Sequence, residues 1–252
     1  MATTPIAMRS SNPALSDQTF RGTRAGFGGA DAMTIQGTVN KTGIALLILM
    51  ATASYTWNLG IGDARVPAFT MVGLLGGLVL AMVTIFKKEW AATTTPMYAA
   101  LEGLALGGIS ATFEARYPGL VSQAVFLTFG TLGALLLAYR SGLIRATENF
   151  KLGIFAATGG IALVYLINFV MSFFGSGIPM IHSSGTVGII FSVVVVGVAA
   201  LNLVLDFDFI EQGAEHGAPK YMEWYGAFGL LVTLVWLYLE ILRLLSKLQE
   251  RR

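Results

Sequence analysis

Residues 185–205 read GTVGIIFSVVVVGVAALNLVL, twenty-one consecutive positions without a charged side chain. A helix needs about 20 apolar residues to cross the hydrocarbon of a bilayer, so this stretch is long enough to span by itself. Working outward from it, uncharged or nearly uncharged stretches of similar length recur at 42–59, 66–86, 97–112, 121–139, 152–174 and 225–245. The third is the shortest and carries Glu102. Short polar breaks separate them, with punctuation such as Gly60 to Pro67, Lys87 to Pro96 and Arg116 to Pro118, and they leave no room for a soluble domain. The fold class expected is an all-α membrane protein of seven transmembrane helices, forming one domain over residues 42–252.

The composition agrees. Of 252 residues, 55% are hydrophobic and 12% charged, and the mean hydropathy is +0.70. An average soluble domain is about 25% charged, so half the usual solvating charge is missing. A net charge of +2 with no dense basic run gives no footprint for nucleic acid. The absence of cysteine excludes disulfides, thiolate catalysis and cysteine-ligated zinc. His182 and His216, the two histidines, build no metal-ligand spacing. Gly60-Ile61-Gly62-Asp63 matches the short G-x-G-D pattern of intramembrane aspartyl proteases, but its Asp falls in a break with no partner Asp on the preceding stretch. No nucleophile–base pair is visible, so no enzyme is expected, and no cofactor.

Residues 1–41 are rich in Ser, Thr, Gly and Ala with scattered charges, which reads as a mobile polar tail. No apolar run follows a short basic start, so a cleaved signal peptide is not expected. Basic residues set orientation. With seven spans, ten of them (Arg9, Arg21, Arg24, Lys41, Lys87, Lys88, Arg140, Arg145, Lys151, Lys220) share the amino-terminal side. Six lie opposite: Arg65, Arg116, Arg243, Lys247, Arg251 and Arg252. That bias puts the amino terminus in the cytoplasm, against the pull of the four basic residues at the carboxyl end. Gly73 and Gly77, and Gly103 and Gly107, are spaced four apart and read as ordinary close packing of helix backbones.

Three carboxylates fall within the apolar stretches or at their ends: Glu102, Asp206 and Glu240. An acid at the bilayer centre costs about 2.5–3.5 kcal/mol on insertion scales, so each needs a use or a partner. Asp206, with Asp208 and Glu211 behind it, could cap a helix end. Glu102 could hydrogen-bond as a neutral acid. Glu240 stands three residues before Arg243, the spacing of a same-face ion pair. Three acids on three helices otherwise suggest a protonatable or cation-binding site, with Arg116 and Arg243 as candidate counter-charges.

The run Leu205-Asp206-Phe207-Asp208-Phe209-Ile210-Glu211, followed by Ala214-Glu215-His216-Gly217, resembles the Bax inhibitor-1 (transmembrane Bax inhibitor motif) family. So do Leu237-Tyr238-Leu239-Glu240-Ile241, where Glu stands for the family's second Asp, and Ala100-Leu101-Glu102. The amino tail resembles an extension in a bacterial branch of that family. The resemblance implies a central seventh helix wrapped by the other six, in a multi-pass protein of the bacterial inner membrane. It implies a pH-sensitive calcium leak with Asp206 and Glu240 as a latch pair that also holds calcium transiently. Glu102 and Asp208 would line the ion path, and calcium would be the transported ion. A shared proton would close the pair, and two charges would repel and open it. The rival implied by the resemblance is a regulatory protein that binds a partner such as a membrane protease.

Overall fold

The computed structural model describes residues 31–175, 178 and 183–251. Among these residues there are seven long helices and no strand: α1 (Ile35–Leu59), α2 (Arg65–Phe86), α3 (Ala91–Arg116), α4 (Leu120–Arg140), α5 (Glu148–Ser172), α6 (Thr186–Glu215) and α7 (Met222–Glu250). A single 3-10 turn, Lys88–Trp90, joins α2 to α3. Every helix except α3 is long and apolar enough to cross a membrane.

The seven stretches expected from hydropathy are the seven helices, with different ends. Apolar composition marks only the part of a helix that lipid or core can accept, whereas the backbone hydrogen-bond ladder continues into polar surroundings. The α6 helix therefore runs ten residues past position 205 and keeps Asp206, Asp208 and Glu211 inside it. The tail boundary at 41 also moves. Thr34 caps α1, its hydroxyl accepting from Gly37 N at 2.9 Å, so residues 35–41 are helix rather than tail. The remainder of that tail through residue 30, and His182, lie outside the described residues.

Burial is distributed very unevenly. In α7, 19 of 29 residues are buried, against 3 of 25 in α5 and 3 of 21 in α4. The α7 helix packs on α1, α3, α4 and α6, and α2 packs on α3. The largest buried side chains include Tyr225, Phe228, Leu231, Leu237 and Leu242, all on α7. Its amino-terminal half stacks Phe228 edge-on against Tyr98 of α3, with ring centroids 5.1 Å apart. The α3 helix buries twelve residues, Thr94, Thr95 and Ser110 among them. A helix enclosed by its neighbours needs no lipid-soluble surface, which explains its weaker hydropathy.

The two glycine pairs serve packing within the chain. A Cβ on Gly103 would lie 2.3 Å from Leu49 O, and one on Gly107 would lie 2.2 Å from Ala53 O, so α3 and α1 meet backbone to backbone. A Cβ on Gly73 would lie 2.5 Å from Leu101 O, which brings α2 equally close to α3. These contacts give van der Waals packing at a separation only glycine permits.

The α6–α7 hairpin has a register fixed at three heights. Phe209 stacks on Tyr225, Ile210 Cγ1 reaches within 3.2 Å of the Cβ position of Gly226, and Lys247 Nζ donates to Gly188 O and Ser192 Oγ. Antiparallel pairing through these contacts sets Asp206 level with residues 228–233 of α7. Glu240 stands at least seven residues further along, a rise of roughly 10 Å at ~1.5 Å per residue.

The packing generates a direct expectation. Gly103→Leu and Gly107→Val should each lower stability in detergent by about 1–3 kcal/mol or abolish folding, because overpacking meets immovable backbone. Gly159→Ala and Gly160→Ala, where nothing lies within 4 Å of the added carbon, should leave the unfolding temperature unchanged or slightly raised. Thermal unfolding followed by size-exclusion chromatography reads both.

Candidate functional site

Three polar clusters lie along α6 and α7, two of them near opposite ends of α7. In the carboxyl half of α7, Glu240 and Arg243 are three residues apart and share a face. Glu240 is 2% exposed, and its Oε1 accepts from Arg243 Nη1 at 2.7 Å and from Tyr165 Oη of α5 at 2.9 Å. Arg243 Nη1 also donates to Tyr165 Oη at 2.6 Å, with the guanidinium over the Tyr165 ring. Glu240 Oε2 is buried and accepts no hydrogen bond among the described residues. One turn further on, Lys247 is 4% exposed, its ammonium directed at Gly188 O (3.0 Å) and Ser192 Oγ (2.8 Å) of α6.

The carboxyl end of α6 carries the second set. Asp208 Oδ2 is ion-paired with Lys151 of α5 at 2.8 Å and accepts from Gln212, one turn on. Glu211 accepts from the Tyr139 hydroxyl of α4. Tyr139, Asp208 and Glu211, together with Arg140, Arg145 and Thr147, line a polar cleft of about 490 Å³. Lys151 is 4% exposed, a basic residue turned inward rather than to the surface.

The third cluster centres on Glu223, in the first turn of α7 and 1% exposed. Its Oε1 accepts from Thr34 N and Thr34 Oγ1, both at 2.9 Å, and pairs with Lys220 Nζ at 3.0 Å. Its Oε2 is bonded to the Lys41 ammonium. A short backbone bridge runs alongside: Met33 N donates to Ala218 O at 2.7 Å, and Lys220 N to Asp31 O at 2.9 Å. Gly37 leaves room for the carboxylate, since a Cβ there would fall 2.1 Å from Glu223 Oε1. Residues 31–41 are thereby fastened to the α6–α7 turn. Sequence reasoning passed over Glu223 because it sits in a polar break, and its lysine partner is 182 residues away.

The acids singled out in sequence do not assemble as one pair. Asp206 is fully buried in the interior of α6, nine residues before its end, so it caps nothing. Glu240 is bound by Arg243 and Tyr165, and no hydrogen bond joins it to Asp206. The offset in the hairpin register accounts for this: two side chains whose positions differ by roughly 10 Å along the axis cannot share one proton. Glu102 lies on the α2 side of α3, with Oε2 2.8 Å from the Cβ position of Gly77. Asp208 is ion-paired with Lys151 on the wall of the polar cleft. Of the two candidate counter-charges, Arg243 serves Glu240, whereas exposed Arg116 pairs with Glu250 at 3.1 Å, ten residues beyond.

The G-x-G-D segment is a turn. Asp63 accepts from Arg65 N and from its guanidinium, at 2.7–3.2 Å. Those hydrogen bonds hold its carboxyl low, at about 2. A carboxylate fixed in its charged form beside its own cation is not poised to exchange a proton.

Helices long and apolar enough to cross lipid, with ion pairs and carboxylates buried among them, define a multi-pass membrane protein. The Bax inhibitor 1 like family model matches residues 12–250, and the chain belongs to that family. No curated protein and no solved structure matches it.

The Glu223 cluster is testable apart from any transport. Breaking a buried ion pair by removing one partner costs about 3–5 kcal/mol. Glu223→Gln should therefore speed amide exchange at Gly37 and Thr38 by about two to four orders of magnitude, while exchange in the α6–α7 core stays as it was. Equal exchange in both proteins would mean that the cluster does not hold the start of α1.

Proposed function

We propose that this protein is a pH-sensitive cation leak, with calcium as the main transported ion, in which Glu240 is the gating acid. The supporting observation is the Glu240–Arg243–Tyr165 cluster: a buried carboxylate with one oxygen engaged and the other free of hydrogen bonds among the described residues. Charged Glu240 is bound to Arg243 and keeps α7 tied to α5 through Tyr165. A proton on Glu240 removes the ion pair, releases the guanidinium and lets α5 and α7 separate. Acid opens the path on this account, the reverse of the sense that a shared-proton pair would give. Asp206, two turns or more away, and Glu102 offer further oxygen ligands of the kind a hard cation takes.

In this reading α3 is the seventh span, enclosed rather than lipid-facing, and α7 is the central helix. The amino terminus is cytoplasmic in a bacterial inner membrane. The awkward basic charge at the carboxyl end is partly accounted for, since Arg243 is paired with Glu240 and Lys247 is buried against α6. Calcium entry into dye-loaded liposomes between pH 5 and 9 tests the gate. Wild type should conduct more as pH falls; Glu240→Gln, a permanent mimic of the protonated acid, should be several-fold faster at pH 8 and flat across the range. A Glu240→Gln protein with wild-type flux and wild-type pH response would remove Glu240 from the gate.

A second reading has its own observation. The Glu223 cluster anchors residues 31–41 beside the α6–α7 turn, so whatever precedes residue 31 emerges at a fixed place on that end. A regulatory protein acting on a partner, such as a membrane protease, would use that arrangement. Deleting residues 1–30 should then abolish the regulatory effect while leaving the fold intact; an effect that survives the deletion argues against this role.

A further inference from the structure

Lys247 is unusual for a lysine three residues from the end of a helix. A long basic side chain there ordinarily extends to water or to lipid headgroups. This one turns inward and is 4% exposed, and two of its three N–H groups donate to Gly188 O and Ser192 Oγ on the neighbouring helix. Those acceptors, a backbone carbonyl and a hydroxyl, are the neutral oxygens with which proteins replace part of a cation's hydration shell. Gly188 also sits in a tight corner, since a Cβ there would lie 2.1 Å from Ser183 O, and this fixes the first turn of α6 that presents the carbonyl. Glu240, Arg243 and Lys247 follow one another at i, i+3 and i+7, so they form one stripe along α7. A cation leaving Glu240 toward the carboxyl end of α7 passes the Arg243 guanidinium, paired with Glu240 itself, and then meets the lysine ammonium.

We propose that Lys247 is a tethered cation: its ammonium occupies an oxygen-lined cation site between α6 and α7, excludes free cations from it, and sets the resting leak. This rests on the cation-leak reading but makes a separate demand, that the site take an ion once the ammonium is gone. Removing a unit charge ~10 Å along α7 from Glu240, at an effective dielectric of ~20, changes cation passage on the order of tenfold.

The test compares wild type with Lys247→Met, which keeps the chain length and loses the charge, and Lys247→Arg, which keeps the charge. Thermal unfolding with and without millimolar calcium or potassium reads occupancy; calcium entry into liposomes at pH 8 reads flux. Lys247→Met should gain a cation-dependent rise in unfolding temperature and conduct about tenfold faster, while Lys247→Arg resembles wild type in both. If Lys247→Met gains cation-dependent stabilisation but no protein conducts, the tethered-cation site stands and the leak reading falls. A folded Lys247→Met that gains no such stabilisation overturns the proposal. Should that variant fail to fold, Lys247→Gln, whose amide can still donate to Gly188 O, undergoes the same comparison with the same outcomes.

Discussion

A charge removed from water inside a lipid-solvated bundle must be matched, and the matching of charges along α7 shapes the rest of this structure. One helix carries Glu223, Glu240, Arg243 and Lys247, three of them almost wholly buried. Each is met by a partner from a different direction: α1 and the hairpin turn at Glu223, α5 at Glu240, α6 at Lys247. The apolar core around Phe228, Leu231 and Leu237 gives α7 its adhesion. The ionic contacts allow fewer arrangements, because a helix slipped by one turn would leave several buried charges unmatched. Glycine makes the close approaches of α1, α2 and α3 possible and leaves α3 enclosed despite its polar residues.

Much of this was legible in the sequence because lipid imposes so plain a rule. The ends of α2 and α4 fall within one residue of the uncharged stretches. Glu240 and Arg243 were legible as a pair from spacing alone, since helix geometry brings i and i+3 together wherever the helix lies. What escaped was every match made across the bundle: Glu223 with Lys41, Asp208 with Lys151, Lys247 with Ser192. Hydropathy and the charge-bias rule treat a lysine near a helix end as a surface group, and nothing local distinguishes Lys151 or Lys247 from one that points to water. The pairing of Asp206 with Glu240 failed for a related reason. Resemblance supplied two acids on consecutive helices, but their relative height depends on where the hairpin turns, and that is fixed by packing.

The separated acids change the physical character of the site. Two carboxylates sharing a proton would titrate as a unit. Here one carboxylate is held by a guanidinium on its own helix and a phenol from α5, with the second acid two turns away on another helix. In the proposed gate, a proton on Glu240 acts by releasing an ion pair rather than by relieving repulsion, and the element released is the α5–α7 contact. The α5 helix is the most exposed of the seven, with only Lys151, Ile154 and Ile161 buried. It is the element least restrained by the core and best suited to move.

The hairpin register on which this account depends can be measured directly, because the chain has no cysteine of its own. Cysteine pairs introduced at 206 and 240, and at 210 and 226, would be oxidised in the membrane and the disulfide yield measured. A disulfide needs Cβ atoms ~3.8 Å apart. The account predicts ready crosslinking at 210–226 and none at 206–240. Efficient crosslinking at 206–240 would bring the two acids face to face and contradict it.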